Sequence, residues 1–146
     1  MISVNNTRLL DIREENELSQ RKIAELLNIS KFTYVRWETM EMVISLKHLN
    51  SFYNKFNTSM DFILKIDNKK RKYNNINEIN KSLVGKRIKK IRLDNKLTQN
   101  NLANILNTTH STISGYETGE TLILTSFAYQ ICKKYNMSMD WLCGKI

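Results

Sequence analysis

The apolar positions of this chain recur at helical spacing. In the second half Ile88 and Ile91 stand three apart, with Lys86, Arg87, Lys89, Lys90 and Arg92 around them, which puts an apolar stripe on a basic helix. Thr98 follows where an N-cap belongs, ahead of a helix whose apolar positions are Leu102, Ala103, Ile105 and Leu106. After a break at Asn107–Thr108, Thr109 can cap a third helix that ends near Tyr116, and Gly119 offers the left-handed residue that stops it. The stretches "ILTSFAYQICKKY" and "SMDWLCG" supply a fourth helix and a short fifth, with Ser138 as its cap. No stretch has the period-two alternation of a half-buried strand. The expected fold class is all-α.

The same plan occurs earlier in the chain. Leu18/Leu97, Gln20/Gln99, Ala24/Ala103, Glu38/Glu117 and Asp61/Asp140 all share an offset of 79. The register runs without a gap from Arg8/Arg87 to Asp61/Asp140, with about a third of positions identical. In the first copy Ser19, Ser30 and Ser59 occupy the matching cap positions. A period this long means two small domains, each repeated whole, rather than a solenoid. The expected division is 1–66 for the first domain and 83–146 for the second. Residues 67–82, "DNKKRKYNNINEINKS", form a basic, Asn-rich linker, with helical character only toward Ile76–Leu83.

Composition narrows the function classes. Hydrophobic residues make up 41% of 146 residues, enough for packed cores and against disorder. No apolar run reaches the ~18 residues of a membrane span. The start "MISVNNTRLL" lacks the charged region and apolar core of a signal peptide, so a cytoplasmic protein is expected. Cys132 and Cys143 stand in apolar surroundings with no Cys/His cluster near them, and read as inert core residues. The net charge of +9 is uneven: +1 over residues 1–66, +3 over 67–84 and +5 over 85–146. A polyanionic partner fits this balance, although abundant Asn, Lys and Ile point equally to AT-rich coding. His48 and His110 stand apart, and no nucleophile–base or metal-ligand arrangement is visible. Neither an enzyme nor a cofactor is expected.

Two short helices joined by a tight turn describe a helix-turn-helix. The residues "LTQ", "LA", "STIS" and "YETG" between Leu97 and Gly119, followed by "MSMDWL", resemble the Cro/CI-type (XRE-type) DNA-binding domain of bacterial and phage repressors. The resemblance covers both copies and is stronger in the second. It implies two tandem five-helix, lambda-repressor-like domains. Gln20 and Gln99 match the family's glutamine that meets a DNA phosphate at the start of the second helix. The third helix is implied to enter the major groove by its N-terminal end. That singles out Thr109, His110, Ser111 and Ser114 in the second copy, and Lys31, Phe32, Val35 and Arg36 in the first. Thr33 and Thr112 match a position that touches phosphate. Short donors and acceptors suit base edges, though Ser and Thr also serve as plain caps. Arg13/Glu38 and Arg92/Glu117 match a family ion pair that ties the first helix to the third. Trp37/Tyr116 and Phe62/Trp141 read as core aromatics, and Ala24 and Ala103 as the small residues of a close helix crossing.

The sequence also departs from the family. The first copy has "MEMVIS" after its third helix, with no glycine, and neither copy carries basic residues there. Each domain alone is therefore expected to bind DNA weakly, with "GKRIKKIR" and "KKRK" supplying phosphate contacts. The run Leu122–Leu124, with Met139 and Leu142, reads either as an interface or as the buried entry to the fourth helix. The leading expectation is a sequence-specific transcriptional regulator, a repressor, bound to double-stranded DNA with the second copy dominant. A homodimer is the alternative to one chain spanning two half-sites on an extended linker. An antitoxin-like or adaptor protein with a protein partner is the alternative function.

Overall fold

The computed structural model describes residues 3–146, and among these every regular element is a helix. Each copy contributes five. The first copy holds α1 (Leu9–Glu15), α2 (Gln20–Leu26), α3 (Lys31–Glu38), α4 (Leu46–Phe56) and α5 (Met60–Ile63). The second holds α6 (Lys81–Asp94), α7 (Gln99–Ile105), α8 (His110–Thr118), α9 (Thr125–Tyr135) and α10 (Met139–Leu142). The all-α, two-times-five-helix expectation is met.

Side-chain caps start most of these helices. Ser19, Ser30, Ser45 and Thr109 accept the backbone N–H three residues on, and Asn80 does the same for the long α6. Thr98 and Asn101 form a reciprocal capping box at α7. Helix ends are set by residues with positive φ, and these also repeat at the offset of 79. The pairs are Glu17/Lys96, Asn28/Asn107, Met40/Gly119, Asn57/Asn136 and Lys65/Gly144. Met40 takes the left-handed turn that Gly119 takes in the second copy, at φ 64° and 79°. The glycine absent from "MEMVIS" therefore leaves the chain path unchanged.

The two cores are built from matching positions. Leu9, Ile12, Ile23, Ala24, Tyr34 and Trp37 fill the first; Ile88, Ile91, Leu102, Ala103, Ile113 and Tyr116 fill the second. Ala24 and Ala103 are buried where α2 meets α3 and α7 meets α8. In the second copy α6 packs closely on α8, and Gly85 permits it. A Cβ at Gly85 would overlap the Tyr116 and Glu117 carbonyl oxygens. Cys132 and Cys143 are buried and unpaired with each other, and burial pushes both thiols up. Phe62 and Trp141 are half-buried beneath the Arg8 and Arg87 guanidinium groups, 4.1 and 4.8 Å from the ring centres.

The copies are docked on each other through α5 and α10. The Asp61 carboxylate accepts the Met139 N–H at 2.7 Å, and the Asp140 carboxylate accepts the Met60 and Asp61 N–H groups at 2.8 and 3.0 Å. Ser59 was expected to cap α5 with its own side chain; the carboxylate of the opposite copy does so instead. The segment before α6 is no extended tether. Coil to Asn80, it donates or accepts at both copies: Ser59 N–H to Arg71 O, Asn50 Nδ2 to Asn77 O, and Lys145 Nζ to Asn77 O at 2.6 Å. Helical character does not begin at Ile76 but at Lys81.

Candidate nucleic-acid interface

In the second copy α7 is the platform and α8 the presented element. Ile113 and Tyr116 turn inward from α8 and are buried. The helical period then leaves His110, Ser111 and Ser114 on the other side; His110 and Ser111 are exposed and Ser114 is half-buried. The N-terminus of α8 is a small hydroxyl cluster. Thr109 Oγ1 accepts the Thr112 N–H at 3.2 Å and lies 3.0 Å from Thr112 Oγ1. Beside it runs an open groove lined by Thr108, Ser111, Thr112, Gly115 and Leu124. Gly115 widens this groove, since a Cβ there would lie 3.2 Å from Thr121 Oγ1. The structure thus brings Thr109, His110, Ser111, Thr112 and Ser114 together on one helix end.

The other half of the motif fixes how α8 stands. Arg92 on α6 donates to both carboxylate oxygens of Glu117, at 2.7 and 2.9 Å, and to Leu97 O at 2.9 Å. The first copy repeats this with Arg13, Glu38 and Leu18 O. The hydrogen-bonded carboxylates raise both guanidinium pKa values further above their ordinary range, against the opposing effect of burial. Gln99 opens α7 but its amide donates to Glu117 Oε1 at 3.2 Å, so it braces the same junction. Gln20 opens α2 at the matching position and is half-buried.

The first copy presents different chemistry on the same scaffold. Lys31 is exposed and Phe32 is 70% exposed. The Arg36 guanidinium lies 5.2 Å from the Phe32 ring centre and 3.3 Å from Glu41. Thr33 Oγ1 accepts from the Ser30 hydroxyl at 2.9 Å, and Val35 is half-buried. Thus α3 offers an aromatic face and two cations where α8 offers small hydroxyls and an imidazole.

The basic residues divide into two groups. Arg8 and Arg87 are tied into the fold: Arg87 bonds Trp141 O and Ile146 O, and Arg8 bonds Phe62 O and Asp67 O. Arg87 stands in "GKRIKKIR", the run expected to supply phosphate contacts, yet it is architectural; Arg92, expected to pair with Glu117, does so. Lys86 and Lys89 remain exposed, and exposed Lys90 pairs with Asp94 at 2.8 Å. Gly85 was missed by sequence reasoning altogether. Its signal, a lone glycine inside a helical pattern, points to close backbone approach. Among the described residues no group of His, Cys, Asp and Glu is placed to hold a metal ion, and no helix is long and apolar enough to cross a membrane.

Comparison with protein families agrees with this architecture. A helix-turn-helix family model matches twice, over residues 9–63 and 88–142. Among curated proteins no relative matches. Among solved structures, the restriction-modification controller protein C.AhdI from Aeromonas hydrophila is 20% identical, over 42% of this chain and 92% of its own, with a TM-score of 0.38. The clp gene regulator ClgR from Corynebacterium glutamicum is 18% identical, over 42% of this chain and 66% of its own, with a TM-score of 0.39. Two family matches in tandem, each carrying its own Arg–Glu junction and presented third helix, establish that the chain belongs to the Cro/CI-type (XRE-type) helix-turn-helix family of DNA-binding transcription regulators.

Proposed function

We propose that this protein is a sequence-specific transcriptional repressor that reads the major groove with α3 and α8, with α8 the principal reader. The observation that carries this reading is the end of α8. Thr109, His110, Ser111, Thr112 and Ser114 form a compact polar surface on a helix clamped at its far end by Arg92, Glu117 and Gln99. A rigid helix with short side chains can bring hydroxyl and imidazole groups to base edges without crowding the groove. Gln99, Thr112, Gln20 and Thr33 are the proposed phosphate contacts. Lys31, Phe32 and Arg36 are the proposed first-copy contacts, with Phe32 suited to a thymine methyl. Repression then needs only that the bound protein occupy a promoter.

The test is selection of bound sequences from a random duplex library, repeated with Ser111→Ala/Ser114→Ala. The parent should enrich a defined sequence. The double variant should keep weak, salt-sensitive binding but lose at least about tenfold of its preference over random duplex. Equal preference in parent and variant would exclude α8 as the reader. Retention of a protein partner with no enriched duplex would favour an antitoxin-like or adaptor role.

A further inference from the structure

We infer that one chain is a built-in dimer that reads a non-palindromic duplex as a single molecule, with two inverted but unlike half-sites, one for α3 and one for α8. This rests on the DNA-binding reading above and is carried by how the copies meet. Asp61 accepts from Met139 N–H and, at 2.5 Å, from the Ser138 hydroxyl, while Asp140 accepts from Met60 N–H and Asp61 N–H. Each carboxylate therefore caps the helix to which its own equivalent belongs. Such reciprocity, residue and equivalent exchanging the same contact, marks an isologous two-fold interface. Here it is closed within one chain.

A second place shows the same relation. Residues from 43–47 and from their equivalents 122–126 face one another across a single cavity. These segments lead from α3 into α4 and from α8 into α9, so the axis passes near the C-terminal ends of both presented helices. Leu122 and Leu124 also line the groove that carries Ser111 and Thr112. The reading end of α8 thus flanks the axis. A two-fold rotation preserves height along its axis, so α3 is presented at the same level.

The docking is locked from several sides. Lys145 from the second copy lies 4.8 Å from the Tyr53 ring centre of the first. Its ammonium also holds Asn77 O, to which Asn50 donates, and Asn75 donates to Gly144 O at 2.9 Å. The surface through which a second chain could form this contact is already occupied. An operator mirrors the symmetry of the protein that reads it. In this protein the helix caps and the facing 43–47 and 122–126 segments are related as by a two-fold, but the reading faces differ: His110, Ser111 and Ser114 stand where the first copy has Lys31, Phe32 and Val35. Inverted, unlike half-sites follow.

The experiment selects duplexes with the full chain and weighs the complex on the enriched sequence by native mass spectrometry. One chain per duplex is expected, on two unlike segments centred about 10 base pairs apart. Scrambling either segment should weaken binding at least about tenfold. The variant Lys31→His/Phe32→Ser/Val35→Ser/Arg36→Gly gives α3 the residues that α8 carries at the matching positions, and circular dichroism checks its fold. It should gain at least about tenfold over the parent on an inverted repeat of the α8 segment. A palindrome bound by two parent chains overturns the inference, as does one segment whose flank can be scrambled without loss; both outcomes leave the DNA-binding reading standing. Enrichment of no sequence overturns both. If the variant does not fold, the stoichiometry and segment scrambling on the parent still decide.

Discussion

Single residues show how much charge in this chain serves architecture. Arg92 and Glu117 are nearly buried, with 10% and 4% of their side chains exposed, and the guanidinium also holds Leu97 O. Losing the carboxylate leaves a buried cation with one partner fewer, so Glu117→Ala should destabilise the protein by about 3 kcal/mol without any DNA present. Urea unfolding measures this. An unchanged midpoint together with lost DNA binding would make Glu117 a contact residue instead. The pairing was legible in the sequence because Arg13/Glu38 and Arg92/Glu117 keep one spacing in both copies. The fate of Arg87 was not. An arginine bonded to carbonyls at the end of its own domain has the same neighbours in sequence as one facing solvent.

At the scale of elements, the caps and turns carried most of the readable information. Thr98, Thr109 and Ser138 cap where short polar residues precede apolar periodicity, because an N-cap is a local interaction. The cap of α5 was not readable, since its acceptor comes from Asp140, 80 residues away. Leu122–Leu124 resolves into both of its readings: Ile123 is buried in the core, while Leu122 and Leu124 line the cavity between copies. Gly85 sets the distance from α6 to α8, so Gly85→Ala should cost about 1–3 kcal/mol in urea unfolding by forcing the helices apart; no loss would mean that α8 can shift freely. A further prediction concerns the Asp61–Asp140 junction, which Tyr53, Tyr73, Lys145 and both cysteines surround. Burial, with the nearby Asp61 carboxylate adding to it, pushes Asp140 up to about 7, and the backbone N–H bonds only partly oppose this. A carboxyl whose folded-state pKa is raised stabilises most below its unfolded value, and that contribution is lost as pH rises through the folded value. Asn resembles the protonated acid, so the stability advantage of the parent over Asp140→Asn should shrink by at least about 1 kcal/mol from pH 5 to pH 8. Parallel urea titrations measure it, and a gap that widens with pH would mean that the N–H groups hold the carboxylate charged.

For the molecule as a whole, the decisive feature is that its two domains and the strap between them form one docked unit. The sequence showed the repeat but not the docking, because reciprocal caps become visible only when both copies are placed in space. That changes what the basic strap can do. It is pinned through Arg71 O, the Asn75 side-chain amide and Asn77 O, so Lys69, Lys70, Arg71 and Lys72 project from a fixed surface rather than from a loose tether. Two of the four already have acidic partners, Lys70 with Glu15 at 3.5 Å and Arg71 with Asp67 at 2.9 Å. Lys69 and Lys72 are exposed. Each phosphate neutralised contributes about 0.9 to the slope of log affinity against log salt. Changing all four to Ala should therefore weaken binding to every duplex alike and flatten the slope by nearer two contacts than four, since two cations must first leave their partners. Fluorescence anisotropy over a salt series, on the selected duplex and on an unrelated one, measures both quantities. A loss confined to the selected duplex would make these residues base readers. An unchanged slope would make the strap a purely structural tie and leave Lys86 and Lys89 as the exposed cations for phosphate beside the proposed contacts of Gln20, Thr33, Gln99 and Thr112.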